Sequence, residues 1–304
     1  MKYSNTMEMD IMEVKDILKQ LKAGLIAVRP EIKESDFGPD DKRLRNYKEF
    51  YFKKKNERKN FFDDPRDLKL GTGTCAIRSS AAFIYNIFGQ DEICIDRVQY
   101  NKIEYEKKLT ALANRNKAQL DGFLVSKDKT IIKFFETKLL EWSYGPKNLS
   151  KSYLSTNNYP EKNDCKQQFV DFFNKLHTSK PVIEKGEEKW KHKSKVYDAI
   201  QMSIHTLAIY NSLFEKDEID YSETKVIELI NLVWDYDCKR YKDEEEDAKD
   251  YINSLNEKFS PHFKKHGLEF IVKYISFSDF IKTVRFQNPE RLNYLNNRYL
   301  LKEV

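Results

Sequence analysis

Apolar residues first fall into register near the start of the chain, where Ile11, Val14, Ile17, Leu18 and Leu21 recur at helical spacing behind Asp10 and Glu13, a capping-box pair. Gly24 and Pro30 end the pattern, which predicts an amphipathic helix over about 10–23. The run from Ser79 to Phe88 predicts a buried helix with a serine at its start and Gly89 at its stop. Val98 to Leu109 alternates enough to be a strand. Two further apolar runs, Gly122 to Val125 and Ile131 to Phe135, flank the short polar break Ser126-Lys127-Asp128-Lys129 and predict a hairpin of antiparallel strands.

Trp142, Gly145 and Pro146 end the second of these strands, and the polar stretch up to Pro160 reads as a surface connection. Cys165, Phe169, Phe172, Phe173 and Leu176 form a helical stripe with Pro181 beyond its end. A helix over about 195–213 carries two ridges. Val196, Ile200, Ile204 and Leu207 are apolar, and Tyr197, Gln201, His205, Ala208 and Ser212 run alongside, about 100° away. The β-branched run Val226 to Tyr236 predicts a fourth core strand, mid-sheet if a helical crossover returns it parallel to its partner. An amphipathic helix at 244–259, a last strand at 268–275 and a short helix from Ser278 complete the pattern, which has no internal repeat.

A chain of 304 residues buries a substantial core, and its 40% hydrophobic and 13% aromatic residues mark a folded protein although 34% are charged. We read one elaborated domain, with a helical and basic extension over 1–70 and the main domain over 71–304. The acids near the N-terminus stand where a secretory signal has its apolar core, and no run reaches the ~18 apolar residues of a membrane span. A cytoplasmic chain with no membrane partner is expected. Cys75, Cys94, Cys165 and Cys238 lack ligand or disulfide spacing and read as buried free thiols.

Charge sharpens the picture. The net charge is only +5, but residues 42–59 hold nine Lys or Arg against two Glu, interleaved with Tyr47, Phe50, Tyr51 and Phe52. Such a segment suits a phosphate backbone and a stacked base, or else is a solvated helix face. Lys189, Lys191, Lys193 and Lys195, with Trp190 and His192, form a second basic cluster. Gly71-Thr72-Gly73-Thr74 has too few glycines for a phosphate loop and reads as a tight turn.

The candidate chemistry lies in the hairpin. Glu136 and Lys138 interrupt an apolar strand and share one face, with Thr137 turned to the other, and Asp121 opens the neighbouring strand. Two carboxylates there could hold Mg²⁺, and the ammonium could orient a water and offset charge on a pentavalent phosphate.

Asp121 followed fifteen residues on by Glu136-Thr137-Lys138 resembles the catalytic signature of the PD-(D/E)XK nuclease superfamily, without the Pro that gives the signature its name. The succession SSAAFIYNIFG, AQLDGF, FFETKLLEW and QMSIHTLAIYN, over about 71–237, resembles a family of bacterial proteins assigned as restriction endonucleases. The resemblance implies a restriction-endonuclease-like α/β core, a central mixed β-sheet flanked by helices with an N-terminal helical extension. It implies catalysis by Asp121, Glu136, Lys138 and Gln201, with Asp121, Glu136 and the Thr137 carbonyl holding Mg²⁺ or, in its place, Mn²⁺. Gln201 would orient Lys138 or a phosphate, and His205, four residues on, completes the pattern without a fixed role. The superfamily often adds a glutamate from the helix before the sheet. That helix has none here, and Glu106 is the nearest substitute, with Glu104 beside it. The expected activity is Mg²⁺-dependent DNA endonuclease of restriction type, with a second copy of the chain and a cognate methyltransferase as partners. The alternatives are repair or structure-specific cleavage, an RNA nuclease on the same fold, and a non-catalytic nucleic-acid-binding protein whose acids form a structural ion pair.

Overall fold

The computed structural model describes residues 4–30, 32, 33, 35, 37, 80–89, 92–113, 117–140, 147–184, 186–194 and 197–300. The basic segment 42–59, the 71–74 turn, the boundary at 70, Cys75, Trp142, Gly145, Pro146, Lys195 and Val196 lie outside the described residues. The chain divides into two compact units, Met1–Asp96 with Thr283–Val304, and Arg97–Lys282.

The smaller unit begins with helix α1, Ser4–Val28. It is longer than the sequence pattern predicted and runs through Asp10 and Glu13, so those residues do not cap it. Ile17, Leu21 and Leu25 are its buried stripe. Helix α2, Ser80–Phe88, is buried from Ala82 onward and is followed by β1, Ile93–Ile95. Gly89 donates its N–H to the Tyr85 carbonyl at 2.7 Å, and a Cβ there would stand 2.6 Å from that oxygen, so only glycine closes the helix this way.

The larger unit holds β2 (Val98–Leu109), β3 (Ala118–Ser126) and β4 (Ile131–Lys138), an antiparallel meander. The hairpin between β3 and β4 is built as the sequence indicates. Ser126 donates its hydroxyl to Asp128 at 2.6 Å and accepts from the Ile131 N–H at 2.9 Å, and Lys129 takes a left-handed φ of 59°.

Next come β5 (Leu149–Ser150), two 3₁₀ turns (Lys151–Leu154 and Thr156–Asn158), α3 (Lys166–Leu176), β6 (His177–Glu184) and β7 (Glu187–His192). Strands β5, β7 and β6 form a small separate sheet. The 147–160 stretch is therefore not a surface connection: Leu149, Ser152 and Tyr159 are buried, and the Tyr159 hydroxyl donates to the Tyr153 carbonyl at 2.8 Å.

Helix α4 (Ala199–Phe214) then crosses over to β8 (Val226–Val233), which runs parallel to β4. Helix α5 (Lys239–Lys264) leads to β9 (Glu269–Ser276), parallel to β8. Within this unit the sheet order is β2-β3-β4-β8-β9, so β4 is central and β8 is covered on both edges. The fold is mixed α/β, a mixed sheet flanked by helices. Strand β4 reads as a nearly unbroken buried run because both of its faces are covered. Stacked rings at 4.0 Å, Phe169 on Phe259 and Phe263 on Phe270, join α3 to α5 and α5 to β9.

Helix α6 (Phe277–Thr283) ends the larger unit, and β10 (Val284–Arg285) and α7 (Pro289–Tyr299) complete the smaller one. The sequence pattern stopped before α7. Its start signal is orthodox, Pro289 in the first turn behind an Asn288 cap whose side chain accepts from the Glu290 N–H at 2.8 Å. Its buried face is not, because Arg291 and Arg298 lie in it. Each guanidinium finds main-chain carbonyls, Asn86 at 2.9 Å for Arg291 and Leu21 at 2.7 Å for Arg298.

Candidate active site

A carboxylate and an ammonium in the middle of a buried strand need partners, and β4 and α4 supply them to each other. Glu136 Oε1 accepts from Lys138 Nζ at 2.7 Å and from the Gln201 amide nitrogen at 2.5 Å. Lys138 Nζ also donates to Gln201 Oε1 at 2.7 Å, closing a three-membered ring of hydrogen bonds. Glu136 Oε2 faces His205 Nε2 at 2.9 Å. Glu136, Lys138 and His205 side chains are 5%, 12% and 4% exposed, so the set is shielded from water, with Lys138 at its open side.

Local structure fixes this geometry. Asp198 caps α4 by accepting the Gln201 N–H at 3.0 Å, which puts Gln201 in the first turn and His205 one turn later on the same face. Asn231 on β8 stands beside Glu136 and donates to its main-chain carbonyl at 3.3 Å. Of the polar ridge inferred from the sequence, Gln201 and His205 meet β4, whereas Tyr197 precedes α4 and the Ser212 hydroxyl donates to Glu218 and accepts from the Thr110 N–H.

Asp121 sits on β3 next to this set. Its Oδ2 accepts from the Thr137 N–H at 2.7 Å and from the Thr137 hydroxyl at 2.5 Å. Burial foremost, then the charges of Glu136 and Glu106, push the Asp121 carboxyl well above its ordinary range against the pull of the Thr137 bonds. Burial also pushes Glu136 up, but Lys138 and His205 outweigh it and hold that carboxyl at about 2. The two acids are therefore unlike, one firmly ionised and the other reluctant.

Glu106 lies between the pairs Tyr105↔Gly122 and Lys107↔Leu120, which sets it across from Asp121, and its φ of 52° breaks the regular alternation of β2. Glu104, expected to share its surroundings, is instead ion-paired with Lys107 at 2.7 Å and Lys102 at 3.2 Å. Glu106 is the one whose charge reaches Asp121.

The structure brings in one acid that the sequence reading missed. Glu244, 3% exposed on α5, accepts from the Tyr274 hydroxyl and feels the charge of Lys138. The signal was present, since Glu244 precedes Ala248, Ile252 and Leu255 in the apolar stripe of its helix. Burial above all raises its carboxyl from 4.5 to about 7. Native Glu244 thus keeps a proton that the unfolded chain has lost between those pH values, so its contribution to stability falls as pH rises through that window. Glu244→Gln is expected to remove this slope, making the variant more stable than the parent at pH 8 by up to about 3 kcal/mol and by little at pH 4. Denaturant melts of both proteins across pH 4–8 check it, and parallel curves would show that Glu244 does not titrate there.

Comparisons of the chain with family models, curated proteins and solved structures return no match. Among the described residues, no helix is long and apolar enough to cross a membrane.

Proposed function

We propose that this chain is a Mg²⁺-dependent endonuclease of restriction type, which hydrolyses phosphodiester bonds in DNA at a PD-(D/E)XK-like site on β3, β4 and α4. The observation that carries the reading is the crowding of three carboxyl groups, Asp121, Glu136 and Glu106, at one point. Asp121 is crowded by Glu136 and Glu106, while Glu136 stays ionised under Lys138 and His205. A structural ion pair has no use for the extra acids, whereas a divalent cation turns their repulsion into binding energy.

By donor type these residues suit such an ion. Asp121 and Glu136 offer hard carboxylate oxygens, the Thr137 carbonyl would add another, and Glu106 would support Asp121 from behind, a set suited to Mg²⁺ or Mn²⁺. When bound, the ion would offset charge on the phosphate and acidify a water. Lys138 Nζ, held by Glu136 and Gln201, would position the attacking water and balance the negative charge that grows on the phosphate oxygens. Gln201 would hold Lys138 in line, and the burial of Glu136 would keep these charges strong by excluding water.

The test is digestion of a long unmethylated DNA with Mg²⁺ or with EDTA, followed by sequencing of the product ends. Cuts at a fixed sequence, lost in EDTA, are expected. Scattered cuts or cuts at distorted DNA would favour a repair role, cleavage of RNA alone would change the substrate, and binding without cleavage would overturn the enzyme reading. A second copy of the chain and a methyltransferase of the same specificity are the partners that restriction implies.

The basic cluster carries a second prediction. Lys191 and Lys193 are exposed, whereas Lys189 is partly covered and ion-paired with Glu184 at 3.4 Å. Lys191→Glu and Lys193→Glu are each expected to lower the slope of log K against log salt by about 0.9 on duplex DNA. An unchanged slope in the double variant would place this end of β7 away from nucleic acid.

A further inference from the structure

Three unlike donors meet at the junction of α3 and α5. Ligand atoms of Asp164, Cys165 and His262 lie within 4.8 Å of one another. Asp164 and Cys165 precede α3 directly, and His262 lies in the last turn of α5. Sequence spacing gave no hint of this, since nearly a hundred residues separate the thiol from the imidazole.

We infer that Asp164, Cys165 and His262 form a binding site for a divalent transition metal of Zn²⁺ type, separate from the acidic site on β4. A thiolate, an imidazole and a carboxylate are the donors such an ion selects, and three protein ligands with one open position is a common arrangement for it. The chemistry differs from that of Asp121 and Glu136, whose all-oxygen set suits a harder ion.

Two features beyond proximity point to a ligand. Nδ1 of His262 is buried and has no hydrogen-bond partner among the described residues, which is costly unless something else engages that ring. The Asp164–Cys165 turn is also held in place before any ion arrives. Asn163 Oδ1 accepts from the Cys165 N–H at 2.9 Å while its amide donates to Asn211 at 2.6 Å, and Asp164 accepts from the Tyr210 hydroxyl at 2.5 Å. Cys165 and Asn163 are buried and Asp164 is exposed, which leaves an approach from the carboxylate side.

The surroundings set the conditions. The thiol binds such an ion as thiolate, so at neutral pH the ion displaces its proton and one H⁺ leaves as the S–metal bond forms. Lys265 and His266 stand near the site, and Lys265 opposes a cation. The bound ion would tie the start of α3 to the end of α5, next to the stacked pair Phe169 and Phe259.

The experiment is titration of the metal-stripped full chain with Co²⁺, followed by displacement with Zn²⁺. One equivalent should bind with a thiolate-to-cobalt charge-transfer absorption, bleached by Zn²⁺, with proton release and a higher melting temperature. Cys165→Ser should abolish the absorption, and His262→Gln and Asp164→Asn should each weaken Zn²⁺ binding by about 100-fold or more, beyond the usual effect of losing an outer partner. Cys94→Ser, Cys238→Ser and Asp121→Asn should leave the absorption unchanged. The exposed Asp164 gives a variant that folds even if Cys165→Ser does not. No thiolate band, or a band that survives Cys165→Ser, overturns the site, and neither result depends on whether the chain cuts DNA.

Discussion

Asp121→Asn is expected to abolish Mg²⁺-dependent cleavage while leaving the melting temperature unchanged or higher. The exchange keeps the volume and an oxygen that can still accept from the Thr137 N–H, so the β3–β4 contact survives. What it removes is a charge that burial, Glu136 and Glu106 all disfavour in the native state. Losing that charge relieves the fold. Losing a cation ligand costs several kcal/mol of transition-state stabilisation, or about 10³-fold in rate. A residue kept at the expense of stability marks a working site. Near-parental cleavage by this variant at saturating Mg²⁺ would remove Asp121 from the site, and a large fall in melting temperature would make it a structural residue.

Glu136→Gln supplies the contrast. Its carboxyl lies at about 2 because Lys138 and His205 reward its charge, so the charge adds stability above pH 4.5 that is lost as pH falls through about 2. The glutamine variant should therefore lose both activity and stability. It leaves the partly buried Lys138 ammonium without the Glu136 charge, the costly half of a broken pair.

Much of this site was legible because its residues break a pattern. Glu136 and Lys138 interrupt an apolar strand, and Gln201 and His205 occupy a polar ridge beside an apolar one, so periodicity alone singles them out. The hairpin, the crossover and the parallel β8 follow from the same apolar runs. The misses share a different cause, polar side chains buried by partners distant in sequence. Arg291 and Arg298 hide α7 because their carbonyl partners lie more than 200 residues away. Glu244 looks like a solvent charge until Tyr274 is seen to cover it. Glu106 differs again, since its left-handed φ overrides the alternation on which a strand argument rests. His262 meets Cys165 only through the packing of α3 on α5.

Gln201→Ala is expected to lower cleavage by about 10²-fold or more with little change in stability. Glu136 and Lys138 pair with each other on one strand and need no helper to do so. The amide of Gln201 does something the pair cannot, accepting from the ammonium at 2.7 Å while donating to the carboxylate at 2.5 Å, and so fixes where Nζ points. Loss of a positioning contact of this kind lowers turnover by orders of magnitude, while water entering at the partly exposed Gln201 position can restore the hydrogen bonds that hold the fold. The effect should fall on kcat more than on KM. Gln201→Glu should not rescue it, because a carboxylate accepts from Lys138 but repels Glu136. His205→Ala should differ in kind, costing stability as well, since it empties a buried position beside Glu136 Oε2. Should Gln201→Ala cut DNA like the parent, or fail only because it unfolds, α4 would be scaffold and the chemistry would rest on β3 and β4 alone.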